Sequence, residues 1–197
     1  MRGFSLIEIA IVLALILIVA AVSTMTLQPA LNANHIAEAY NTTLTTMRQA
    51  RDMSVAQRQI YFVTLSNAVA PNTITITQGS TGTVISTYSL PTDVNFNAEP
   101  GLPNSPVAPP TTPDGFGVGT TAIDFDQGIV GGVKNVIYFY PDGSAQDALG
   151  NINSGVVYMD QPGKIQTSRA ITLWGGTGRL RGWHLWPNGA AYYWRQQ

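Results

Sequence analysis

The chain has 197 residues, 45% hydrophobic and 11% charged, with 12 prolines, two histidines, no cysteine and a formal net charge of −1. Without cysteine there is no disulfide, thiolate catalysis or Cys-built metal centre, and without a basic balance there is no global nucleic-acid footprint. The charge content falls below the ~25% typical of soluble domains, as expected of an apolar membrane segment joined to a strand domain rich in Thr, Asn and Gly. His35 and His184 lie far apart without metal-ligand spacing, and no Ser/His/Asp set or acid pair suggests catalysis. The chain is therefore read as neither an enzyme nor a cofactor protein, with room for one modest domain beyond its first segment.

From Phe4 to Val22 only Ser5 and Glu8 interrupt an apolar run of about 19 residues, near the ~20 that a helix needs to cross a bilayer. Glu8 is the anomaly, because an acid within such a run costs roughly 2.5–3.5 kcal/mol on insertion scales and marks a functional site by default. A cut between Gly3 and Phe4 would create an α-amino group four residues before Glu8, in the same chain or on a neighbour, and so supply the missing cation. A plain anchor with Glu8 at the headgroups is one alternative. A secretory signal ending near Ala21-Val22-Ser23 is another, although an acid in its apolar region argues against it. The cationic Arg2 on the cytoplasmic side would send the remainder outward.

Gly3-Phe4-Ser5-Leu6-Ile7-Glu8 followed by this run resembles the processing site of type IV pilins and type II secretion pseudopilins. The resemblance implies that a prepilin peptidase cuts after Gly3 and N-methylates Phe4, that the mature chain is a single-pass inner-membrane protein with an extracytoplasmic domain, and that Glu8 guides docking among other pilins. Residues 1–3 form the leader and 4–27 the membrane and filament-core helix. The leader carries one cation where family leaders are longer and more basic, so translation is expected to begin further upstream.

Pro29, Asn32 and Asn34 predict a kink or loosening over residues 26–34. Helical period resumes at His35, with Ile36, Tyr40, Leu44, Met47 and Ala50 or Arg51 on one stripe and Glu38, Thr42, Thr45 and Gln49 opposite. The segment 28–58 is thus an amphipathic helix ending near Gln57 and entering a β domain over 59–197. The helix end, with Arg48, Arg51 and Arg58, runs into Ile60–Leu65 and resembles the GspH/FimT branch of minor pilins and pseudopilins. Those cations also suit a solvated helix C-terminus.

Strands are predicted at Ile60–Leu65, Thr73–Thr77, Thr83–Leu90, Val94–Asn97, Ala122–Phe125, Val136–Tyr140, Gly155–Met159 and Arg169–Leu173. The Pro- and Gly-rich segment 98–121 reads as a surface loop. Asp124, Asp126 and Asp142 do not have calcium-loop spacing, and Pro141-Asp142-Gly143 is explained by turn chemistry.

The last 30 residues hold the remaining chemistry. Trp174 precedes a Gly-rich turn, and period 2 places Arg179, Arg181, Trp183 and Leu185 on one face of the returning strand. Tyr192, Tyr193, Trp194 and Arg195 follow. Guanidinium and indole side by side can hold phosphate and stack bases, which makes Arg179, Arg181, Trp183 and Arg195 candidate DNA contacts. Gly178-Arg179-Leu180-Arg181 also resembles the Gly-Arg-x-Arg pattern of FimT-type pilins associated with DNA uptake. Core packing and protection of a sheet edge are the competing roles. The expectation is an α+β, pilin-like fold: one long N-terminal helix whose second half lies on an antiparallel sheet of about six to eight strands. The protein would serve as a structural subunit of a type IV pilus or type II secretion pseudopilus.

Overall fold

The computed structural model describes residues 5–103, 105, 111–117, 120–125, 134–189 and 191–197, with backbone alone for 24–33. Gly3 and Phe4 lie outside the described residues. The chain divides into two units, Met1–Asn34 and His35–Gln197.

Helix α1 runs from Leu6 to Gln57, and its helical backbone continues through Pro29. In the first unit, Leu6–Ser23 has a mean hydropathy of 3.0 and none of it is buried. Eighteen residues rise about 27 Å, close to the ~30 Å hydrocarbon thickness of a bilayer. By length and composition this segment can cross a membrane.

The second unit is α+β, and its helical part is amphipathic. Ile36, Ala39, Tyr40, Thr43, Leu44, Thr46, Met47, Ala50 and Ser54 are buried, covering roughly 160° of the circumference at 100° per residue. The predicted stripe is present, but widened on one flank by small and hydroxyl-bearing residues. Buried Thr43 bonds to the Ala39 carbonyl at 2.8 Å, and Ser54 to the Tyr140 carbonyl at 3.0 Å, so neither hydroxyl is left unpaired.

Ten strands follow among the described residues: β1 (Tyr61–Ser66), β2 (Thr73–Gln78), β3 (Val84–Ser89), β4 (Ile123–Phe125), β5 (Val136–Phe139), β6 (Ala145–Gln146), β7 (Gly155–Met159), β8 (Arg169–Trp174), β9 (Arg179–Asn188) and β10 (Ala191–Gln196). They form two five-stranded antiparallel sheets, ordered β3-β2-β1-β5-β6 and β10-β9-β8-β7-β4. The single sheet of six to eight strands is thus replaced by two. A broad helical stripe needs cover on both flanks, and one core joins Ile36, Tyr40 and Met47 to Val63, Leu65, Ile74 and Ile76 of the first sheet and to Val157, Met159, Ile171 and Leu173 of the second.

Two local expectations also change. Val94–Asn97 makes only an isolated bridge, Asn95 to Asp160, although Val94 and Phe96 point into the core as alternation requires. Segment 98–121 is more than a solvent-facing excursion, since Ala98, Leu102, Thr112 and Pro113 are buried. Ala98 and Leu102, with Phe116 beside them, close a second core over Val156, Tyr158, Ala170 and Leu185. Strand β7 is consequently buried along its whole length, which is why it reads as continuous apolar sequence and not as alternation.

Candidate functional site

Glu8 stands in the first turn of α1. Ser5 starts that turn, its carbonyl accepting from the Glu8 and Ile9 N–H groups at 3.0 and 3.2 Å, and its hydroxyl from the Ile7 N–H at 3.3 Å. Ser5-x-x-Glu8 therefore has capping-box spacing, and an acid here also complements the positive end of the helix dipole. This local role is legible in the sequence as a Ser followed three residues later by Glu ahead of an apolar run. The positive end of the helix dipole gives an acid at this position a local reason that is separate from assembly.

Three of the C-terminal candidates, Arg179, Arg181 and Trp183, share strand β9, whereas Arg195 lies on the neighbouring β10, and the four separate by environment. Arg181 Nη1 donates to Asp114 Oδ1 at 2.6 Å, and the two side chains are 25% and 6% exposed. Thr172 Oγ1 and Trp174 Nε1 donate to the other carboxylate oxygen at 2.6 and 3.1 Å. Trp183 Nε1 donates in turn to Thr172 Oγ1 at 3.0 Å. The Arg181 guanidinium also lies 5.9 Å from the Trp174 ring centre, and Phe116 meets that ring edge-on at 4.9 Å. Asp114 sits in a single turn of 3₁₀ helix, Pro113–Gly115, at φ +54°. Trp194 Nε1 holds the same segment at its other end, through the Pro103 carbonyl at 2.9 Å. Two of the four tryptophans, Trp174 and Trp194, together with Arg181 and Thr172, thus tie the 98–117 segment to the second sheet. Sequence pattern placed Arg181 and Trp183 on one face but had no means of finding Asp114, 67 residues away.

Arg179 and Arg195 remain exposed. The Arg195 guanidinium lies 5.5 Å from the Trp186 ring centre. Trp186 is 40% exposed and Tyr193, its cross-strand partner, 44%. His184 packs against Trp186 at 5.3 Å, and burial, followed by the nearby Arg169 charge, pushes its imidazole down to about 4. Trp186 and Tyr193 are the members of this face that reading in terms of arginines overlooked.

The three aspartates considered for calcium do not converge among the described residues. Asp124 is paired with Lys134 at 2.7 Å, Asp142 accepts from the Ser144 N–H and hydroxyl, and Asp126 lies outside the described residues. No group of three His, Cys, Asp or Glu side chains suited to a metal occurs among the described residues. Comparison with known proteins finds no matching family model, curated protein or solved structure.

Proposed function

We propose that the protein is a minor pilin or pseudopilin, stored in the inner membrane and drawn into a type IV pilus or type II secretion pseudopilus after prepilin peptidase cleaves at Gly3-Phe4. The observation that carries this reading is a wholly uncovered apolar helix, Leu6–Ser23, with an acid in its first turn. It precedes a separate α+β unit with cores of its own. Glu8 would meet the new amino group of Phe4 on a neighbouring chain. Such a buried pair adds little net stability but penalises wrong register strongly. Mass spectrometry after co-expression with a prepilin peptidase should find Phe4 as the first residue, carrying one added methyl. An intact Met1 or a cut near Ser23 overturns the reading. Glu8→Leu should leave membrane abundance unchanged or higher while lowering the amount in sheared filaments, and normal incorporation would remove Glu8 from assembly.

A second reading, DNA binding, is supported by the exposed Arg195–Trp186 pair beside Tyr193. Arg181 and Trp183 contribute less to it, because Arg181 Nη1 and the Trp183 indole N–H are already engaged with Asp114 and Thr172 and the Arg181 Nε is buried. Each phosphate contact contributes a salt slope of about −0.7 for single strands and −0.9 for duplex. Arg195→Ala should therefore flatten the log–log salt dependence of oligonucleotide binding by roughly one contact, with Trp186→Ala weakening affinity at constant slope. Absence of binding at low salt would end this reading.

A further inference from the structure

Arg48, Arg51 and Arg179 line one cleft with Asp52, Gly178 and Leu180, of about 290 Å³, between the C-terminal end of α1 and the β8–β9 turn. Three of the ten lysines and arginines of a chain with net charge −1 are gathered here. Arg51 is held in place, its Nε and Nη2 donating to the Gly143 and Thr177 carbonyls, both at 3.2 Å. Gly178 has φ +59° and no room for a Cβ beside Arg51 and the Gly143 carbonyl, so the turn is seated tightly on that side chain. Arg48 and Arg179 are exposed, and neither guanidinium has a hydrogen-bond or ion-pair partner among the described residues. Arg48 and Asp52 stand four apart on the helix without forming an ion pair. The same two residues border a shallow depression of about 440 Å³ that includes Met53 and Ala56.

We propose that this cleft docks an extended acidic segment of a partner protein, in which carboxylates meet Arg48 and Arg179 and an adjacent apolar side chain lies over Met53 and Ala56. Unpaired guanidiniums beside a pinned one favour planar, bidentate carboxylate recognition. Asp52 inside the cleft disfavours a continuous phosphate backbone, whereas a peptide can place its negative charges away from it. The apolar floor likewise matches a side chain and not a sugar-phosphate strand. The inference stands apart from whether the chain enters a filament.

The test uses the full chain in detergent micelles and fluorescence anisotropy. The probe is a labelled hexapeptide alternating glutamate and leucine, with glutamine–leucine and glutamate–serine peptides and oligothymidylate as comparisons. The glutamate–leucine peptide should bind. The glutamine peptide, and the Arg48→Gln/Arg179→Gln variant, should each lose at least about tenfold, as expected when charge-assisted pairs are removed. The glutamate–serine peptide should bind several-fold more weakly, and Asp52→Asn should tighten binding of the acidic probe. Both arginines are exposed and unpartnered, so the variant retains its fold, which a matching thermal transition checks. The proposal is overturned by no binding of the acidic probe at low salt, by equal binding of the glutamine peptide, or by unchanged affinity in the double variant. Oligothymidylate binding that displaces the probe and depends on the same arginines would also overturn it, assigning the cleft to nucleic acid.

Discussion

Asp160 follows β7 and is completely buried. One Asn97 amide nitrogen donates to both of its oxygens, at 3.1 and 3.3 Å, and to Glu99 Oε1 at 3.0 Å. Burial pushes the Asp160 carboxyl up to about 7 from its usual 3.8; the Glu99 charge adds to the rise and the Asn97 donation opposes it. The folded chain therefore retains a proton that the unfolded chain releases, so this group's contribution to stability is complete below 3.8 and is lost as pH rises through 7. His184 acts in the opposite direction, its contribution being lost as pH falls from its usual 6.5 towards 4. Asp160→Asn isolates the first effect, since both proteins keep His184. Between about pH 5 and about pH 8 the wild-type melting midpoint should fall by several degrees more than that of the variant. Equal shifts in the two proteins would show that Asp160 titrates normally.

At the scale of elements, the packing of β9 on α1 depends on one missing side chain. Gly182 is buried, and a Cβ built there would fall on the Tyr40 hydroxyl. Tyr40 is itself 7% exposed and belongs to the main core. Gly182→Ala should destabilise the fold by about 1–3 kcal/mol, the usual cost of overpacking, measured by chemical denaturation. Adding Tyr40→Phe removes the nearest colliding atom and should recover part of the loss in a double-mutant cycle. Strict additivity would mean that strand and helix separate without mutual adjustment. The Asp114 cluster supports the same sheet from its other face, with one carboxylate accepting from Arg181, Thr172 and Trp174.

At the scale of the whole molecule, neither core contains a described residue before Ile36, and Leu6–Ser23 is fully uncovered. A chain beginning at His35 should therefore remain soluble without detergent and unfold cooperatively. Its melting midpoint should lie within about 4 °C of the full chain in micelles, because roughly 1 kcal/mol shifts the midpoint by about 2–4 °C in a domain of about 150–250 residues. A broad, non-cooperative transition in the shortened chain would show that the apolar segment supports the fold.

Local chemistry was legible from the sequence alone. The apolar run with its acid, the helical stripe from Ile36 to Ala50, the end of α1 at Gln57 and nearly every strand follow from period, turn residues and length, all of which act between near neighbours. Glu8 could be singled out for the same reason, because its cost in an apolar run needs no knowledge of distant residues. Which strands share a sheet depended on tertiary structure, as β1 pairs with β5 across more than 70 residues of chain and alternation names a face without naming its partner. The role of segment 98–117 was also hidden. Its prolines and glycines carry turn propensity, whereas its burial arises from Leu102, Phe116 and Asp114 meeting a sheet that forms later in the chain. The candidate arginines divide on the same principle: identical side chains two residues apart on β9 became an internal ion pair at Arg181 and an open guanidinium at Arg179, because only one of them lies opposite Asp114.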